Sequence, residues 1–315
     1  MAQQTWTVDA PTGVYKNHAL SSRLYEASVA DTKFVEFTRP VEGYGRKMGE
    51  TITLTRVANI TEPTSAVLTE GVRIPEDTFS LSTVAITPQE LGRAVPYTSL
   101  SEDLSKYDIA NPIQRKLRQQ LTLVLDTLAS TAFQGCQVKY IPTSALAGTF
   151  DTDGTASTAA TSNMNMYHVE TIADYLYDTL QCAPYEGDDY VGIFRTLGLR
   201  GIKRDENWED WHRYTDPQAK YNGEVGRIEQ VRFVQTNHSN ALQEVGTSSV
   251  LGEGVIFGDD PVVMAEILSP ELRLGRQDED FGRMKAVAWY ANLGFDEVWN
   301  TSNEGQARII HVTSS

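Results

Sequence analysis

The sequence predicts an α+β fold, on three observations. Residues 51–57 and 79–86 alternate apolar and polar side chains with period two, as strands with one buried face do. Residues 112–134 carry one long amphipathic helical stripe. Beyond residue 165, one further helical pattern and six short apolar runs follow without the regular strand–helix alternation of a doubly wound sheet.

Taken in order, the first 45 residues mix polar residues with isolated aromatics (Trp6, Tyr15, Tyr25, Phe34 and Phe37). A weak helix over 19–34 is expected. The segment is too polar to make a core alone and reads as an arm that packs on something else. Gly43 and Gly45 end any helix there. Residues 51–57 and 79–86 form a ribbon, with 92–97 as an extension and about twenty turn-prone residues around Pro63, Gly71 and Pro75 at its tip. A two-stranded ribbon is marginal in water. Its apolar stripe and open edges need a cover, from this chain or from a neighbouring molecule.

Asn111 is placed to cap a helix and Pro112 to sit in its first turn. The stripe is Ile113, Leu117, Leu121, Val124, Leu125, Leu128 and Ala132, and Gly135 is placed to stop it. Residues 112–134 span roughly 35 Å, about twice the usual globular length. This is a structural spine, since a coiled coil would carry its repeat beyond about three heptads. Residues 143–165, rich in Ser, Thr, Ala and Gly, read as a loop or connection. A second helix is expected over 166–181, with Val169, Ile172, Ala173, Leu176 and Leu180 on one face and Pro184 and Gly187 closing it. Strands are expected at 190–194, 230–235, 255–257, 262–268, 285–290 and 308–312.

Charge and composition exclude several function classes. The 315 residues carry 27 basic and 42 acidic groups, a net charge of −15. That balance argues against a basic face gripping nucleic acid. Residues 1–160 hold 14 basic and 17 acidic groups, residues 161–315 hold 13 and 25, so the acidity sits in the second half. The acidic runs at 188–189, 259–260 and 278–280 lack the alternating ligands and central glycine of a calcium loop and read as solvated surface. No apolar run reaches the ~18 residues of a membrane span, and the N-terminus lacks the basic-then-apolar order of a secretory signal. Cys136 and Cys182 make neither a disulfide framework nor a zinc site and are expected to be buried small hydrophobes. A soluble protein made in a reducing cytoplasm is expected.

No constellation reads as an active site. The five histidines, His18, His168, His212, His238 and His311, show no metal-ligand spacing. Residues 208–212 (WEDWH) could build an acid/base or sugar-stacking site around Trp208 and Trp211, although a surface loop anchored by its tryptophans is the commoner meaning. Gly252 and Gly254 precede an apolar run, the reverse of a dinucleotide fingerprint, and no phosphate-binding loop or nucleophile elbow occurs. No catalytic residue, metal or cofactor is expected, and the chain is expected not to be an enzyme.

The combination of arm, long-tipped ribbon, isolated spine helix and irregular α+β body resembles the major capsid proteins of tailed bacteriophages, with the Hong Kong 97-type fold. Local wording is similar to the N-four-like branch. Residues 45–56 (GRKMGETITLTR) resemble the start of that family's ribbon, with Leu68, Gly71 and Pro75 at its tip. Residues 187–194 (GDDYVGIF) resemble its first body strand, 223–236 its next block, and 280–291, with KAVAWY at 285–290, its C-terminal strand. Arg195 and Thr196 stand where relatives usually have a His-Pro pair.

The resemblance implies a division of labour. Residues 1–45 would be the N-terminal arm, 46–95 the extended loop over a neighbouring subunit, and 96–164 a peripheral domain with the spine helix. Residues 165–260 would be the axial domain and 261–315 the strands returning to the peripheral domain. It implies hexamers and pentamers of an icosahedral head around double-stranded DNA, assembled in the bacterial cytoplasm. A separate scaffolding protein, a portal protein and, where one is present, a decoration protein would be partners, with DNA touched only weakly and non-specifically and no membrane. Arg56, Glu70 and Arg73 are expected to make charge pairs between subunits. No lysine lies between Lys47 and Lys106, so the ribbon lacks the nucleophile for the isopeptide crosslinks of some relatives. The alternatives are an encapsulin-type compartment shell and a carbohydrate-binding or carbohydrate-active protein using Trp208 and Trp211.

Overall fold

A computed structural model describes residues 27–41, 44–60, 62–105, 108–205, 208, 223–242, 254–275 and 283–314. In chain order they form β1 (Thr38–Pro40), β2 (Ile52–Val57), β3 (Leu81–Ile86), β4 (Gln89–Thr98), α1 (Ser99–Leu104), α2 (Ala110–Gln134), β5 (Val138–Ser144) and β6 (Ala147–Asp151). Then follow α3 (Met166–Asp174), β7 (Tyr190–Arg195), α4 (Thr196–Lys203), β8 (Glu224–Ile228), β9 (Val231–Thr236), β10 (Gly254–Phe257), β11 (Val262–Leu274), β12 (Met284–Asp296) and β13 (Ile309–Val312). The class is α+β, as the unalternated order of elements implied.

Three sheets share the strands. A seven-stranded mixed sheet runs β6-β5-β13-β10-β7-β9-β8, a four-stranded sheet runs β1-β11-β12-β4, and β2 pairs with β3 alone. Period-two alternation puts Tyr190, Phe194, Phe233 and Ile256 on one face of the large sheet, under α3 and α4. Val191, Ile193, Val255 and Phe257 face the other way, against Phe34, Phe37, Ala129 and Phe133.

Helix α2 joins the two larger sheets. Its 25 residues, about 37 Å, exceed what either sheet alone requires. Ile113, Leu117, Leu121 and Val124 pack on Val287, Trp289, Leu91 and Leu272 of the four-stranded sheet. The Trp289 Nε1–H donates to Gln120 Oε1 at 3.1 Å. Further on, Ala129 and Phe133 pack on the large sheet. The expected stripe therefore holds only in the first half. Asp126, Ala129, Ser130 and Phe133 are buried in the second half, while Leu125, Leu128 and Ala132 are only half-buried, because the helix changes partner midway.

Several expectations need correction. Asn111 does not cap α2; the helix begins at Ala110, whose N–H donates to Asp108 Oδ1 at 3.0 Å, and Pro112 lies in the first turn. Residues 27–33 are not helical, because Asp126 Oδ1 accepts the amides of Lys33 (2.9 Å) and Phe34 (2.8 Å) and β1 then pairs in parallel with β11. The rest of the expected 19–34 helix lies outside the described residues. Residues 92–97 do not extend the ribbon. The chain breaks at Thr87 and Pro88, and β4 pairs antiparallel with β12, where Leu91 and Tyr97 meet α2. Residues 143–165 are not all loop, since β5 and β6 form a hairpin there. That hairpin and β13 belong to the seven-stranded sheet with β7, β9 and β10. Strands β11 and β12 are each 13 residues long, well beyond the short runs legible in the sequence, and their extra length is polar and exposed in β11 (Ser269, Glu271, Arg273) and small or polar in β12 (Ala291, Asn292, Gly294).

Candidate assembly surface

The ribbon is half sheltered and half bare. At its root, Ile52, Leu54 and Ile86 pack with Val263, Ala265 and Val298 of the same chain. Arg56 closes this contact: Nε donates to Ser82 Oγ at 2.7 Å, and NH1 donates to Val298 O at 2.8 Å and Asn300 Oδ1 at 2.9 Å. Its guanidinium also sits 5.5 Å from the Trp299 ring centroid. Arg56, expected to pair between subunits, is thus already bonded within its own chain.

Beyond Ala58, whose N–H donates to Ser80 O at 3.2 Å, the described residues of the two ribbon arms carry no strand pairing. Val67 is 86% exposed, and Leu68, Val72, Ile74, Phe79 and Leu81 are each more than half exposed. Five of these large apolar side chains lie on the unpaired segment and Leu81 opens β3 beside it, an exposed apolar surface of the kind that marks an interaction site. Arg73 and Glu76 pair with each other at this tip, and Glu70 is exposed beside them.

The arm is anchored by a buried polar node. Besides the two amides, Asp126 receives His238, whose Nδ1 lies 2.9 Å from Oδ2. One helical turn on, Ser130 Oγ accepts the Leu242 amide at 2.8 Å. Thr236 Oγ1 donates to Asp31 O at 3.1 Å, and Lys116 Nζ to Ala27 O at 3.0 Å. These bonds explain why two polar residues occupy the buried face of α2.

A second node lies where α2 ends against β12. Glu297 is buried, and its Oε1 stands over Gly135, where a Cβ would lie only 3.3 Å away. Gly135 has φ −65°, so a side chain there would be crowded by this approach and by Ala132 O, not strained by backbone twist. Burial pushes the Glu297 carboxyl up to about 8, Lys139 opposes the shift, and Asp296 adds to it. Lys139 donates to Gln134 O at 2.5 Å and lies 4.0 Å from Cys136 Sγ. Burial pushes the Cys136 thiol up to about 12, and burial followed by Lys139 holds His311 well below its ordinary value. The folded chain keeps a proton on Glu297 that the unfolded chain releases near 4.5. Folding stability should therefore fall as pH rises from about 5 through 8 and level off above. Glu297→Gln should flatten that slope in melting temperatures taken across the range; an unchanged slope excludes Glu297 as its source.

Other residues singled out in the sequence serve packing. Trp208 is partly buried against the core under α3 and α4, while residues 209–212, with Trp211, lie outside the described residues. Gly254 opens β10 under the Phe194 ring, with no room for a side chain. Cys136 and Cys182 are both buried and free. Asp189 accepts from Arg227 Nε and Arg232 Nε, each at 2.7 Å, so it serves an ion-pair network on the sheet edge and is not simply solvated. His238 with Asp126, and Glu297 with Gly135, gave no local sequence signal, since each pair is distant along the chain.

No family model matches the chain, and no curated protein matches it in sequence. Solved structures do match over nearly its whole length. The head structure of Helicobacter pylori bacteriophage KHP40 matches with a TM-score of 0.70 at 11% identity, covering 96% of each chain. The capsid of Ralstonia phage GP4 matches with a TM-score of 0.68 at 15% identity, covering 98% of each. The cyanophage Pam1 capsid matches with a TM-score of 0.67 at 12% identity, covering 97% of this chain and 98% of that one. The fold of this chain is that of phage capsid structures.

Proposed function

We propose that this chain is the major capsid protein of a tailed bacteriophage, of the Hong Kong 97 type, self-assembling through hexamers and pentamers into an icosahedral head around double-stranded DNA. The observation that carries this reading is a projecting ribbon with a bare apolar tip on a body that has the phage capsid fold. The four-stranded sheet with the first half of α2 is the peripheral domain. The seven-stranded sheet is the axial domain, which takes in β5, β6 and β13 as well as 165–260. The ribbon lies over a neighbouring subunit, with Glu70 and Arg73 in charge contact there and Arg56 setting its angle. Many modest contacts repeated on a closed lattice add to a stable shell. The acidic surface keeps packaged DNA from adhering. A scaffolding protein and a portal protein are the proposed assembly partners, with a decoration protein where one is present, and the mature protein resides in the virion.

Negative-stain microscopy with light scattering of the purified protein, alone and with a scaffolding protein, tests this. Closed shells of uniform size are expected. A protein that stays a 35.0 kDa monomer under all these conditions would falsify the reading.

A further inference from the structure

The cleft between the C-terminus of α2 and the end of β12 holds a carboxyl group, that of Glu297, which no hydrogen-bond donor among the described residues reaches. The cleft has a volume of about 340 Å3 and is lined by Leu128, Thr131, Gly135, Leu293, Phe295 and Glu297, among others. Glu297 is only 4% exposed and yet faces this space. Among the described residues, its backbone N–H bonds Asp296 Oδ1, but no donor reaches its carboxylate. Lys139, whose field it feels, gives its ammonium to Gln134 O. The last turn of α2 adds the negative end of a long helix, with Oε1 held above Gly135. Burial keeps this carboxyl protonated in the free subunit, and ionising it against that helix end is costly unless a cation enters.

The remaining wall decides which cation fits. Leu128, Leu293 and Phe295 make one side apolar, while Thr131, Asp296, Glu297 and Asn300 make the other polar, with Asp296 adding a second negative charge beside Glu297. A long side chain with a methylene stem and a charged head does fit, the stem on the apolar wall and the head at Glu297. We propose that this cleft is a socket for a lysine or arginine side chain of a second copy of this chain. The choice of a second copy rests on the shell reading above and on position. Thr87 and Gln89 at the ribbon root form one lip of the cleft, and Asn300, bonded to Arg56, forms another, so the socket is continuous with the ribbon that reaches a neighbour. Exposed basic side chains such as Arg93 and Arg118 are available on the same molecule.

The signature is a change of sign on assembly. In the free subunit the ionised Glu297 is a burden; in the shell it is paired. Glu297→Gln keeps the shape and removes the charge. It should raise the melting temperature of the unassembled subunit near pH 9 and increase by about 30-fold or more the subunit concentration needed to form shells, as losing one partner of a buried charge pair does. Measuring both quantities on the same preparation also shows that the variant is folded. If wild-type shells form and the variant assembles at the wild-type concentration or lower, the socket is refuted while the shell reading stands. If wild-type protein never assembles, both fall.

Discussion

Asp126→Ala is expected to cost the free subunit about 3–5 kcal/mol of folding stability, the loss typical of breaking a buried polar pair. The side chain is fully buried and answers three donors or partners at once: the amides of Lys33 and Phe34 and the ring of His238. Alanine leaves two backbone N–H groups and an imidazole in the core without an acceptor, each with its own desolvation penalty. The N-terminal segment should detach first, since Phe34 and Phe37 enter the core directly after these amides. Asp126→Asn keeps one oxygen for the amides and should recover at least half of the loss. Denaturant unfolding of both variants decides the matter. A cost below about 1 kcal/mol for alanine would mean that water replaces the carboxylate.

Serine at Val67, Leu68, Val72 and Ile74 together should abolish shell formation while leaving the subunit folded. These side chains touch little of their own chain, so their loss hardly changes the folding equilibrium, and a shift in melting temperature of no more than about 2 °C is expected. Covered by a neighbour, each would contribute on the order of 1.5–3 kcal/mol, repeated at every subunit of the lattice. Glu70→Lys and Arg73→Glu, made singly, should impair assembly to a lesser degree. Arg56→Glu is a different experiment, because it also unlocks the ribbon root from Val298 and Asn300. Normal particles from the serine variant would show that the tip is not an interface.

Elements with a local signature were legible. Alternation marked β2 and β3, and their observed limits differ from the expected ones by at most two residues. The amphipathic stripe marked α2, with the start misplaced by two residues because the N-cap is Ile109 and the first helical amide, that of Ala110, donates to Asp108 just ahead of it. The end of β5, the turn and β6 were hidden by their small and polar composition, which reads as loop until pairing is seen. Strand β4 was assigned to the wrong sheet, since alternation tells which face is buried but not which neighbour covers it.

Chain composition and periodicity alone determined the class of fold, the projecting ribbon, the spine helix and the absence of any recognisable catalytic motif. These are properties of residues near one another in sequence. Tertiary structure alone decided that the ribbon root is held by its own chain and only the tip is bare, that Asp126 is an anchor, and that Glu297 stands over a helix end. Each of these joins residues about 90 or more positions apart, and what a side chain meets across such a distance depends on packing that no local pattern encodes.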